Sequence, residues 1–167
     1  MLRLVRHGPR GHWPCSEAKS SVTLDFDARH RRRIRLKLDD GGEALLDLER
    51  AVPMAGGDGL ATESSEWVSV KAAPEPLVEV TAKDQLLLLR LAWHLGNRHV
   101  PAEITGQAIR IRPDHVLEEM LANLGGAVRH VTLPFQPEGG AYEDHGHGSH
   151  GHTHEHVDHH EHHHAED

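Results

Sequence analysis

The segment Leu77–Leu133, LVEVTAKDQLLLLRLAWHLGNRHVPAEITGQAIRIRPDHVLEEMLANLGGAVRHVTL, decides the fold. Leu77–Val80 reads as a strand. Thr81 can cap a helix through Lys83–Leu95, which Gly96 would end in a left-handed conformation. Val100–Ile104 and Ala108–Ile111 read as two strands around Thr105-Gly106-Gln107. Pro113–Leu124 reads as a second helix, because Val116, Leu117, Met120, Leu121 and Leu124 recur on one face and Gly125-Gly126 closes it. Ala127–Leu133 is the last strand, ended by Pro134 and Pro137. The order β-α-β-β-α-β is that of a ferredoxin-like domain, two helices covering one face of an antiparallel sheet.

Upstream, the period changes from that of helices to that of strands. Ser21–Asp27 alternates, with Val22, Leu24 and Phe26 on one face, and Ile34, Leu36 and Leu38 repeat the pattern. Asp39-Asp40-Gly41-Gly42 supplies turn chemistry before Ala44–Leu48. Gly59–Thr62 and Trp67–Lys71 are further strand candidates. Ala72-Ala73-Pro74-Glu75-Pro76 reads as a linker, since two prolines resist both helix and central strand. The fold class is therefore α+β: a small all-β N-terminal domain over residues 1–74, a ferredoxin-like domain over 75–141, and a tail over 142–167. The run Arg29-His30-Arg31-Arg32-Arg33 with Arg35 reads as the solvated start of a strand, with a partner-docking patch as the other reading. It has no aromatic platform of the kind nucleic acid requires.

The tail has too few apolar residues to form a core and is expected to be disordered without metal. Glu143–Asp167 holds eleven of the eighteen histidines, seven acidic residues and no lysine or arginine. Neutral imidazole is a common ligand for zinc, copper and nickel, and an unperturbed pKa near 6.5 leaves most of these rings free at neutral pH. The carboxylates draw cations in. Binding is expected to be reversible and to weaken as pH falls through about 6. The candidate ligands are His145, His147, His150, His152, His154, His156, His159, His160, His162, His163 and His164. An expression tag, a solvated tail without a role, and a store without a delivery partner compete with this reading.

The formal charge of −8 is concentrated in the tail; residues 1–142 carry 19 acidic and 18 basic side chains. That balance argues against a nucleic-acid surface over the whole protein. Cys15 is the one cysteine, so there is no internal disulfide and no Cys-x-x-Cys zinc site. No apolar run is long enough to span a bilayer, and the first fifteen residues do not resemble a secretory signal. A reducing cytoplasm is the expected compartment. No P-loop, Gly-x-Ser-x-Gly, His-Glu-x-x-His or cysteine–histidine arrangement points to an enzyme.

The junction His94-Leu95-Gly96-Asn97-Arg98-His99-Val100-Pro101 narrows the function. His94, in the last turn of the first helix, reads as capping or packing. His99, taken alone, reads as an ordinary loop histidine just past a helix C-terminus, where the helix end favours a cation. Together, however, the two-domain plan, this junction and the histidine-rich C-terminus resemble the UreE-type urease accessory proteins.

That resemblance implies a homodimeric nickel metallochaperone that gives Ni²⁺ to the urease apoprotein and its accessory proteins, with neither nucleic acid nor membrane as partner. It implies an N-terminal domain similar to the peptide-binding domains of Hsp40-type chaperones, and a ferredoxin-like domain that dimerises. It places His99 at the dimer axis, binding metal with its symmetry mate. Early tail histidines can join it, with His145 and His147 as the carry-over candidates and His150 or His152 as substitutes. Zn²⁺ or Cu²⁺ can also bind imidazole. Some members carry a histidine pair in the segment matching Pro113-Asp114-His115; here proline takes one place, leaving His115 as an exposed first-turn residue. The alternative is a histidine-rich storage or buffering protein with no dedicated partner.

Overall fold

A computed structural model describes residues 1–139. The N-terminal part is built from β1 (Leu2–Leu4), β2 (Arg6–Gly8), β3 (Ala18–Leu24), β4 (Arg33–Lys37), β5 (Glu43–Asp47), β6 (Gly59–Ala61) and β7 (Trp67–Ala72). They form two sheets, in the orders β1-β5-β4 and β2-β6-β7-β3. Alternation drives both: Leu36, Ala44 and Leu46 from one sheet and Val22, Leu24, Val68 and Val70 from the other share one buried core with Leu4 and Met54. The turn between β4 and β5 uses Gly41 at φ +89°, and Gly42 donates its amide to Asp40 Oδ1 at 2.8 Å. The short strands β1 and β2 carry too little alternation to be found from sequence.

Asp58 ties the N-terminal loops together. It is buried and accepts from the His7 ring at 2.7 Å and from the amides of Arg10 and Ala55, both at 2.8 Å. Burial alone would raise its pKa; these donors outweigh it, and the carboxyl sits below its ordinary value.

The C-terminal part runs β8 (Pro74–Thr81), α1 (Gln85–Gly96), β9 (Ala102–Ile104), β10 (Ala108–Ile111), α2 (His115–Asn123) and β11 (Ala127–Pro134). The sheet order β11-β8-β10-β9, antiparallel throughout, is ferredoxin-like as expected. Val78, Val80, Ile109 and Ile111 meet Leu88, Leu91, Leu95 and Leu121 from the two helices in a second core. On the helix-free face Glu79 accepts from Arg110 at 2.9 Å and from Arg129, and Arg110 also reaches Glu103 at 3.0 Å.

Three local expectations are corrected. Ala72–Pro76 is not a linker. β7 runs to Ala72 and β8 begins at Pro74, pairing Pro74 with Pro134 and Pro76 with Thr132. The prolines are tolerated because β10 reaches only as far as Val78, so this end of β8 is paired on one side. α1 is capped not by Thr81 but by Asp84, which accepts from Leu87 N at 2.8 Å, and Gly96 is the helix's last residue rather than a left-handed residue beyond it. α2 starts at His115 rather than Pro113. Asp114 caps it, accepting from the amides of Val116 and Leu117, and Val116 faces outward.

The basic run also departs from expectation. Arg31, Arg32, Arg33 and Arg35 are exposed, but Arg29 lies in a 3-10 turn (Ala28–His30) and is 2% exposed. Its guanidinium donates to Met54 O at 3.0 Å and to Phe135 O, bolting the segment after β11 onto the N-terminal part. Burial lowers its pKa, against the pull of Glu75 and Asp25. Phe26 against Phe135, with ring centroids 5.3 Å apart, and Arg112 on Asp27 at 3.0 Å complete that junction.

Candidate metal centre

His99 stands where α1 gives way to β9. The backbone turns sharply there: His99 N–H donates to Gly96 O at 3.0 Å and Val100 N–H to Leu95 O at 3.4 Å, the two bonds of a Schellman closure. The left-handed residue this closure needs is His99 itself, at φ +54°. Glycine or asparagine is usual at such a position. The imidazole is exposed.

His94, one turn back, is half-buried, with its ring edge-on to Trp93 at 5.1 Å. Its carbonyl accepts from Arg98 at 2.9 Å. The ring packs on Trp93, one of the two roles expected of it; Arg98, not the imidazole, supplies the cap. His115 is exposed in the first turn of α2, and His130 on β11 is engaged by Glu118 at 2.8 Å. Among the described residues no three His, Cys, Asp or Glu side chains come together as a metal cluster. His145, His147, His150, His152, His154, His156, His159, His160, His162, His163 and His164 lie outside the described residues.

Two surroundings of His99 carry chemical meaning. Along α1, Leu86, Leu89 and Trp93 are 59%, 58% and 65% exposed, and their spacing puts them on neighbouring parts of one helix surface. A row of large apolar side chains in water is a candidate surface for contact with another molecule. On its other side, His99 borders a groove of about 740 Å³ between the two domains, shared with Phe26, His30, Met54, Pro101 and Glu138. His30 is a residue that sequence reasoning placed in the basic run and gave no role of its own.

A β-domain joined to a ferredoxin-like domain, with an exposed histidine closing the first helix of the latter, defines a two-domain protein that offers an imidazole beside an apolar helix. Family models assign the two parts separately: residues 4–73 match the UreE urease accessory protein N-terminal domain, and residues 75–164 the C-terminal domain. The urease accessory protein UreE of Chelativorans sp. (strain BNC1) is 51% identical over 135 residues, covering 81% of this chain and 85% of that protein. UreE of Bradyrhizobium sp. (strain ORS 278) is 49% identical, covering 89% and 71%. UreE of Agrobacterium fabrum is 48% identical, covering 91% and 92%. The chain belongs to the UreE urease accessory protein family.

Proposed function

We propose that this protein is a nickel metallochaperone: a homodimer that binds Ni²⁺ and delivers it to urease while the urease metallocentre is assembled. The observation that carries the reading is the left-handed, exposed His99 at the end of a helix with an unpartnered apolar row. One imidazole cannot hold a metal ion, but a twofold axis turns one residue into two ligands. Contact between protomers along α1 would cover Leu86, Leu89 and Trp93 and draw the two His99 rings towards each other. Tail histidines, His145 and His147 first, would complete the coordination. The remaining positions, filled by water, would leave room for a ligand from the receiving protein.

Imidazole does not choose nickel, since intrinsic affinity favours copper and zinc competes. Cellular supply and the docking partner set the choice. The protein does no chemistry on the ion; it acts as carrier rather than enzyme, in the cytoplasm where urease is assembled. Family membership supports a place in urease maturation, and the neutral balance of residues 1–142 supports a protein partner over nucleic acid.

Truncation after Tyr142 tests the scheme. The shortened protein is expected to bind fewer Ni²⁺ but to keep about one per dimer, because the fixed pair lies on the symmetry axis. His99→Ala in that background should remove the remaining ion and leave the dimer intact by sedimentation. If the truncated His99→Ala protein binds Ni²⁺ as well as its truncated parent, the interface site does not exist. If every site goes with the tail and no urease component is captured, the protein is a metal store.

A further inference from the structure

The basic run leads into a strand edge that nothing among the described residues covers. β4 is the outermost strand of its sheet and pairs there only with β5. Leu38 N–H donates to Gly42 O at 2.8 Å and Leu48 N–H to Arg32 O at 3.0 Å, which fixes the phase of the ladder. Ile34 and Leu36 turn their backbone groups towards β5, and Arg33, Arg35 and Lys37 turn theirs the other way. Asp39, next in the second series, shows where that side points: its amide donates to Ser21 O of β3 at 2.8 Å. β3 pairs with β7 rather than β4, and among the described residues no backbone bond reaches Arg33, Arg35 or Lys37 on the open side.

The side chains at the same three positions decide what the edge can accept. They stand exposed on the outer face of the sheet, while Ile34 between them faces the core and is only half-buried. Asp47, opposite Arg33, is taken by Arg3 at 2.8 Å and lies 3.7 Å from Arg33. Among the described residues Arg35 and Lys37 have no ion pair. Cationic edges discourage pairing with their own kind, but they do not repel a strand that carries carboxylates. Neighbouring edges are less open. On β3 the Asp39 carboxylate already accepts from Thr23 N at 3.1 Å, and on β11 Arg129 is held by Glu79 and His130 by Glu118. Glu43 and Asp47 share the outer face with the cations, and β1, β4 and β5 contain no aromatic residue, which disfavours nucleic acid.

We propose that the open edge of β4 binds an extended acidic segment of a partner protein by antiparallel strand addition. The segment alternates acidic and apolar residues. Its backbone bonds to Arg33, Arg35 and Lys37, its carboxylates meet their side chains, and its apolar residues cover Ile34. Metal has no part in this, so failure of the test leaves the nickel reading untouched. The probe is a capped peptide of alternating valine and glutamate, titrated into metal-free, full-length protein labelled with ¹⁵N. The amides of Arg33, Arg35 and Lys37 are expected to shift and to exchange more slowly with solvent, with an affinity that falls as salt rises. A lysine-for-glutamate peptide, and a copy N-methylated at every glutamate, are expected not to bind. Arg35→Glu with Lys37→Glu, a change confined to exposed positions, should weaken binding by at least about tenfold, with the amide spectrum reporting that the fold is kept. The assignment is overturned if the three amides do not respond, if the N-methylated copy or the double variant binds like its parent, or if oligo(dT) moves the same amides at lower concentration than the acidic peptide.

Discussion

The two helices of the ferredoxin-like domain end with the same hydrogen bonds and different residues. After α2, Gly125 N–H donates to Ala122 O and Gly126 N–H to Leu121 O, both at 2.9 Å, with Gly125 at φ +97°. After α1 the equivalent bonds come from His99 and Val100, the second stretched to 3.4 Å, with His99 at φ +54°. The turn itself therefore does not need histidine. A left-handed non-glycine residue costs on the order of 1–2 kcal/mol, so α1 carries an imidazole where α2 takes the relaxed solution. Strain held at one of two otherwise matching turns is what a requirement for the imidazole, as proposed above, would leave behind.

The glycine end can be broken in two steps. A Cβ at Gly126 would lie 2.9 Å from Val80 Cγ1, 3.0 Å from Leu121 O and 3.1 Å from Leu91 Cδ1. Gly126→Ala should therefore cost about 2–3 kcal/mol through overpacking, read as a lower urea midpoint with an unchanged slope. At Gly125 the nearest atom is Leu87 Cδ2 at 3.5 Å, an ordinary contact, so only the backbone objects. Gly125→Ala is expected to cost less, about 1–2 kcal/mol. Metal binding should survive both, because neither glycine lies near His99 in the chain. If Gly125→Ala is neutral, left-handed strain is cheap in this fold and the contrast between the two turns loses its force.

The same pair of turns shows what the sequence makes legible. The helical period of Leu88, Leu91 and Leu95 and the alternation of Val78 and Val80 are local signals, and they yield the β-α-β-β-α-β order and sheet correctly. The end of α2 is legible because glycine announces a left-handed residue. By the same rule Gly96 reads as a left-handed residue ending α1; the helix does end at Gly96, but the left-handed residue is His99, three further on, where a histidine gives no local sign. Arg29 and His30 were hidden for a different reason. The partners that bury Arg29 are Met54 and Phe135, 25 and 106 residues away, and the groove beside His30 exists only once both domains are in place. His99 itself stood out only through the resemblance of its whole junction to a family.

The sharpest probe of the comparison has the smallest effect on stability. His99→Gly makes the end of α1 like that of α2. It relieves about 1–2 kcal/mol of backbone strain but gives back roughly 0.4–1 kcal/mol by loosening the unfolded chain. The metal-free protein should therefore melt at the same temperature as the parent or slightly above it. The Ni²⁺ ion retained per dimer by the tail-truncated form should be lost. His99→Asn, which tolerates the left-handed region and cannot replace the imidazole as a ligand, should give the same pair of results. A metal-free His99→Gly protein destabilised by more than about 2 kcal/mol would show that the imidazole supports the turn. The strain at His99 would then be a by-product of packing, and the match between a costly backbone and a metal ligand a coincidence.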